Sequence, residues 1–187
     1  MMKLLNQYEI NTLNTEGVEI LFDIFNRDFI TTQTYLTKGS VSYVIDVKED
    51  KTCPCPFSKI DKPERFWHVI TRNKKNSQTS NNPCPNEYEQ QRVYDKARAK
   101  RLHWIKPFIE NWQSDSELVH YYQKKQGKVN LIIWNKSLKF LIVIRKLSSN
   151  MERFLVASYN VFDDEKHRFE NKLKRYNRES PTGDEWF

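Results

Sequence analysis

Four apolar stretches in the second half of the chain, Leu118–Gln123, Val129–Trp134, Leu138–Lys146 and Arg153–Phe162, follow one another with short polar interruptions. Each is rich in β-branched and aromatic residues and too short for an independent helix, so four consecutive strands are expected. Connections as tight as Asn135-Lys136-Ser137 favour antiparallel neighbours, which makes the set a meander. Charge follows the same segment. From Leu118 to Phe162 there are eight Lys and Arg residues against Glu152 alone, a surplus equal to the formal net charge of the whole protein, +7. A sheet that collects all of the net positive charge suits a polyanion, and RNA or DNA is the commonest one.

Composition narrows the other possibilities. At 187 residues one main domain is the default, and the chain can bury a sizeable core. Aromatic residues make up 13% and there are only 4 glycines, which fits neither a disordered chain nor a glycine-rich phosphate binder. Mean hydropathy is −0.80, and no apolar run approaches the roughly 18 residues that span a bilayer, so no membrane association is expected. Met1–Leu5 is followed by Asn6, Gln7 and Glu9, unlike the apolar region of a signal peptide, and a cytoplasmic location is expected.

Cys53, Cys55 and Cys84 lie in proline-flanked polar segments. Their odd number argues against a disulfide framework. Zinc with a histidine as fourth ligand is conceivable, but C-x-C lacks the usual spacing. Cysteines in turns are the plainer reading, and neither a metal nor a cofactor is expected.

Three regions are expected: residues 1–50 as an N-terminal helix-and-strand extension, 51–176 as the main domain and 177–187 as a tail. In the first, Val18, Leu21, Phe22, Ile24, Phe25 and Phe29 form a helical stripe, and Val41, Tyr43, Ile45 and Val47 alternate as in a strand after the Lys38-Gly39 turn. Residues 51–64 read as a loop, Arg65–Arg72 as a strand and Asn73–Asn86 as a long surface loop. A helix is expected from about Glu87, with Tyr94, Ala97, Leu102, Ile105, Phe108, Ile109 and Trp112 on one face and a break near Pro107. Asp163 and Asp164 open a closing helix through about Tyr176. The tail is expected to fray, with Trp186-Phe187 able to dock. The overall class is α+β: a helical N-terminal half on a four-stranded antiparallel meander, closed by a C-terminal helix.

Candidate chemistry centres on His68. Imidazole titrates near neutral pH, with arginines at 65 and 72 nearby. RNA cleavage by 2′-OH attack requires a base, an acid and cations for the phosphorane, and no metal. His68 with Arg72, Arg101 and Arg145 supplies those types. Plainer roles stay open: a packing histidine beside Trp67, ion pairs of Arg72 and Arg101 with Glu64, Asp95 or Glu110, and a solvated strand end for Arg145. Tyr121, Tyr122, Trp134 and Tyr159 could stack bases, although strand aromatics are first of all core formers.

The run Phe66-Trp67-His68-Val69-Ile70-Thr71-Arg72, followed by Arg98–Pro107 and Ile109-Glu110-Asn111, resembles a phage- and prophage-associated group. So do Leu131–Trp134, Leu141–Lys146 and Phe154–Tyr159. That group is the phage-type nucleases of the barnase–EndoU–colicin–RelE-like superfamily, and the likeness runs from about Cys53 to Tyr176. The resemblance implies a metal-independent, toxin-like RNA endonuclease. It implies His68 as general base or acid, Arg72 and Arg101 as phosphate ligands, Arg145 as transition-state cation, and Ser158 or Tyr159 orienting the phosphate or a base. Lys100, Lys106, Lys124 and Lys128, with Tyr121 and Trp134, are the expected nucleic-acid contacts. RNA, conceivably tRNA, is the expected partner, with an antitoxin or immunity protein as a second. The alternative is a phage protein of the same fold that binds nucleic acid or a host factor without cutting.

Overall fold

The computed structural model describes residues 15–47, 62–73, 92–125, 128–146, 153–179 and 186. The three cysteines lie outside the described residues, as do 51–61 of the loop expected over 51–64 and 74–86 of the loop expected over Asn73–Asn86; Glu64 instead opens a helix and Asn73 ends a strand. The protein is α+β, with a helix-rich N-terminal region, a mixed six-stranded sheet and a C-terminal helix.

The sheet is built around the expected meander: β5 (Leu118–Lys125), β6 (Lys128–Asn135), β7 (Phe140–Lys146) and β8 (Arg153–Asn160), each antiparallel to the next. Two further strands, β1 (Tyr35–Lys38) and β2 (Val41–Asp46), extend it in the order β1-β2-β8-β7-β6-β5. Their hairpin turns at Gly39, whose φ of +59° disfavours residues with a Cβ. Strand β2 pairs parallel to β8 through Ile45 opposite Arg153 and Asp46 opposite Phe154. The expectation of four antiparallel strands is thus corrected to six in a mixed sheet. The parallel pair joins residues distant in sequence, which local patterning does not register.

Helix α1 (Thr15–Phe25) continues through a π-helical turn, Asn26–Thr31. Its stripe of Val18, Leu21, Phe25 and Phe29 is buried in the main core, as the helical spacing predicts. The Arg65–Arg72 run is not a strand. Glu64–Ile70 forms helix α2, and only Thr71–Asn73 is extended, as β3. Phe66, Val69 and Ile70, spaced i, i+3 and i+4, are all fully buried, so helix-side packing outweighs the strand propensity of Trp, Val and Ile.

The long helix expected from Glu87 is also corrected. Strand β4 (Arg92–Tyr94) pairs with β3, and Asp95 then caps a short helix α3 (Lys96–Ala99) by accepting from the Arg98 N–H. A 3₁₀ turn over Leu102–Trp104 leads into α4 (Ile105–Glu110). The break therefore falls at Arg101, and Pro107 sits in the first turn of α4, where its missing N–H disrupts no helical bond.

Helix α5 spans Asp163–Glu179. Beyond it Trp186 is fully buried, its Nε1–H donating to Val129 O and its own carbonyl accepting from Arg153 Nη2. Docking rather than fraying describes that residue. Among the described residues, no helix is long and apolar enough to cross a membrane.

The two sheet faces have separate cores. One carries Leu131, Ile133, Phe140, Ile142, Ile144 and Leu155 against α1, α2 and α4. The other carries Tyr121, Ile132, Trp134, Leu141 and Val143 beneath Phe169 and Leu173 of α5. Because α5 covers only part of this second face, a cleft remains between it and α2–α3.

Candidate nucleic-acid interface

The cleft has a volume of about 670 Å³ and a floor of strand residues that includes Ile132, Leu141, Val143 and Ala157. Arg65 and His68 of α2, Arg72 of β3 and Arg98 of α3 line one wall. Arg168 and Lys172 of α5 line the other, and Arg145 rises from β7. The carboxylates among the lining residues are Asp95 and Glu165.

Helix α2 delivers two of these groups together because Arg65 and His68 are three residues apart and share a helix face. Arg65 Nη1 lies 3.1 Å from His68 Nδ1 and 3.1 Å from the carbonyl oxygen of Val156. A guanidinium has no acceptor, so Nδ1 must accept and the ring proton belongs on Nε2. The carbonyl is open to Arg65 through a β-bulge: Val143 faces Ala157 and Ile144 faces Leu155, leaving Val156 unpaired. The Arg65 guanidinium also lies 4.0 Å over the Phe154 ring.

Arg98 is tied down similarly. It donates to Thr71 O at 2.7 Å, stands 3.3 Å from Asp95 and lies 4.7 Å over the Tyr159 ring. Arg72 is half-exposed, 3.9 Å from Asp95, too far for more than a loose ion pair. Arg145 is different. Its Nε donates to the neutral Asn130 Oδ1 at 3.0 Å, and among the described residues it has no carboxylate partner.

His68, Arg72, Arg145 and Tyr159 are brought together at this cleft. Arg101 and Ser158 are not. Arg101 Nη1 donates to Ala97 O at 2.7 Å and its guanidinium packs over Trp104; burial pushes its pKa down, with Asp95 opposing. Ser158 is opposite Ile142 and fully buried on the far face, because alternate strand residues point to opposite sides and Ala157 takes the cleft position.

The expected nucleic-acid contacts also separate. Tyr121 contributes to the cleft wall but is 1% exposed, and burial raises the pKa of its phenol. Trp134 is fully buried under Phe169. Neither offers a free face for stacking. Lys106 is engaged by Gln33 O and Glu110, while Lys100 and Lys128 are outside the cleft lining. Lys124 lies on β5, and its side chain is outside the described residues.

The groups that sequence reasoning missed are Arg65, Arg98, Arg168 and Lys172. Reading 65–72 as a strand puts Arg65 and His68 on opposite faces, whereas helical spacing unites them. Glu165, Arg168 and Lys172, spaced i, i+3 and i+7 on α5, carried a similar signal. Among the described residues, no three His, Cys, Asp or Glu side chains gather as a metal would require. Comparison with protein families, curated proteins and solved structures finds no match.

Proposed function

We propose that this protein is an endoribonuclease that cleaves single-stranded RNA by attack of a 2′-OH on the adjacent phosphate. The observation that carries this reading is the placement of an imidazole and the cations of Arg65, Arg72, Arg98 and Arg145 around one cleft with few carboxylates. Guanidinium groups stabilise the charge that develops on a phosphorane, and an imidazole moves the proton.

Arg65 gives the sequence of events. It occupies the Nδ1 lone pair of His68. A phosphate is a stronger acceptor for a guanidinium than a neutral ring nitrogen, so an arriving phosphodiester draws Arg65 toward itself and releases Nδ1 as the base. His68 then takes the 2′ proton, the 2′ oxygen bonds to phosphorus, and the bond to the 5′ oxygen breaks. Arg145 and Arg72 hold the non-bridging oxygens, and water protonates the departing 5′ oxygen. The products are a 2′,3′-cyclic phosphate and a 5′-OH.

A second reading, binding without cutting, draws on Ala157, which puts no serine hydroxyl on the cleft face of β8 and leaves the phenol of Tyr159 as the hydroxyl there. Incubation of total RNA and tRNA with the protein in EDTA separates the two. Cleavage leaving cyclic phosphate ends, lost in a folded His68→Ala variant, supports the nuclease. Intact RNA that is nevertheless bound at low salt supports the binding module. Its toxin-like use in a cell, restrained by an antitoxin, belongs to the same proposal, tested by whether expression arrests growth and His68→Ala relieves it.

A further inference from the structure

The α5 wall contacts a different part of the sheet from the α2 wall. Lys172 Nζ stands 3.3 Å from Gln123 Oε1 of β5, whereas Arg65 is bonded to the backbone of β8. Three strand intervals separate β5 from β8 in the sheet order, a distance of about 14 Å at the usual spacing. Between them Asn130, opposite Gln123, holds Arg145, so the α5 cations lie next to the scissile phosphate proposed for Arg145, on the side away from Arg65.

The second wall has its own composition. Arg168 and Lys172 are on the same face of α5, and among the described residues Arg168 has no ion-pair partner. At the start of the helix Val161 is fixed by its N–H, which donates to Lys139 O at 2.7 Å. The next residue, Phe162, lines the cleft and is 48% exposed. Single exposed apolar residues are ordinary on a surface. This one is a flat ring at the start of a wall on which Arg168 and Lys172 outnumber the carboxylate of Glu165, and rings beside cations hold unpaired bases and their phosphates.

We infer that the α5 wall is a second nucleotide subsite, in which Arg168 and Lys172 hold a phosphate flanking the scissile one and Phe162 stacks an unpaired base. The inference rests on the nuclease reading for the identity of the scissile phosphate. It adds that the ligand is a single strand with at least two phosphates, because a base in a duplex cannot stack on the ring.

Fluorescence anisotropy with labelled oligoribonucleotides tests it, in a His68→Ala background that prevents turnover. The probes are a single-stranded hexanucleotide, the same sequence in a blunt duplex, and a dinucleoside monophosphate. Arg168→Ala/Lys172→Ala is expected to weaken hexanucleotide binding about tenfold more than dinucleotide binding. It should flatten the dependence of log affinity on log salt by about 0.7 for each phosphate that is no longer neutralised. Phe162→Ala is expected to weaken single-strand binding about tenfold with the salt slope retained. Both sets of side chains are on the surface or rim, and circular dichroism checks folding.

Equal losses for both probes, or none, overturn the second subsite while leaving the nuclease reading in place. Duplex bound as tightly as single strand overturns the stacking role. Discriminating binding by a wild-type protein that cuts no RNA upholds the subsite and overturns the nuclease. No binding of any probe at low salt overturns both.

Discussion

Arg65 Nη1 and His68 Nδ1 are 3.1 Å apart, a cation hydrogen-bonded to the ring nitrogen of a histidine one helical turn away. The pair fixes which nitrogen carries the proton. Nitrogen-15 NMR of the ligand-free protein is expected to show His68 neutral with its proton on Nε2, and Arg65→Ala is expected to mix the two tautomers. A protonated Nδ1 in the wild type would overturn the release step proposed for catalysis.

Arg145 has a different environment. It is held by Asn130, and among the described residues no carboxylate pairs with its charge. Arg145→Ala is expected to lower kcat by about 100- to 1,000-fold, the range for loss of one transition-state donor. Its stability should change by only about 1 kcal/mol, because one hydrogen bond is removed. Single-turnover cleavage and urea unfolding measure the two effects. Activity equal to wild type would remove Arg145 from the mechanism.

Ser158 tests which face of the sheet would carry the proposed cleavage. Its hydroxyl is buried with no hydrogen-bond partner among the described residues, so Ser158→Ala removes an unsatisfied polar group without changing the packing much. The variant is expected to melt no lower than wild type and to retain cleavage. Loss of cleavage with the fold intact would return Ser158 to the reaction.

His120 is expected to make stability sensitive to acid. Its ring packs at 4.7 Å against Trp112, and burial, assisted by Lys38, holds its pKa below the ordinary 6.5. Between the lowered value and 6.5 the unfolded chain binds more protons than the folded one, so acid favours unfolding. Stability should therefore fall as pH drops through 6.5 and level off once the folded ring also titrates. His120→Phe is expected to flatten that part of a plot of Tm against pH. An unchanged slope would assign the sensitivity to another group.

Trp186 closes one end of the main core against Tyr122, with the buried Arg153 guanidinium 4.5 Å from its ring. Trp186→Ala is expected to destabilise by about 3–5 kcal/mol in urea unfolding, as large core truncations do. Trp186→Phe should recover part of this. A wild-type unfolding midpoint for the alanine variant would show that the C-terminal dock does not contribute.

The residues that revealed themselves in the sequence did so through short-range patterns. The meander was visible because each strand carries its own apolar run, and α1 because Val18, Leu21, Phe25 and Phe29 recur at helical spacing. Arg65–Arg72 misled because Trp67, Val69 and Ile70 favour strands, while the packing of Phe66, Val69 and Ile70 against the core selects a helix.

At the candidate site, the chain itself supplied the inventory: an excess of guanidinium and ammonium groups over carboxylates and one histidine in an aromatic run. Which cations share a cleft was settled by tertiary structure alone. Arg65 reaches His68 through a helix turn and Val156 through a bulge, Arg101 is drawn to Ala97, and the pleat sends Ser158 to the far face. Local sequence encodes the type and spacing of side chains, whereas their convergence depends on strand order, register and the docking of α5, contacts between segments far apart along the chain.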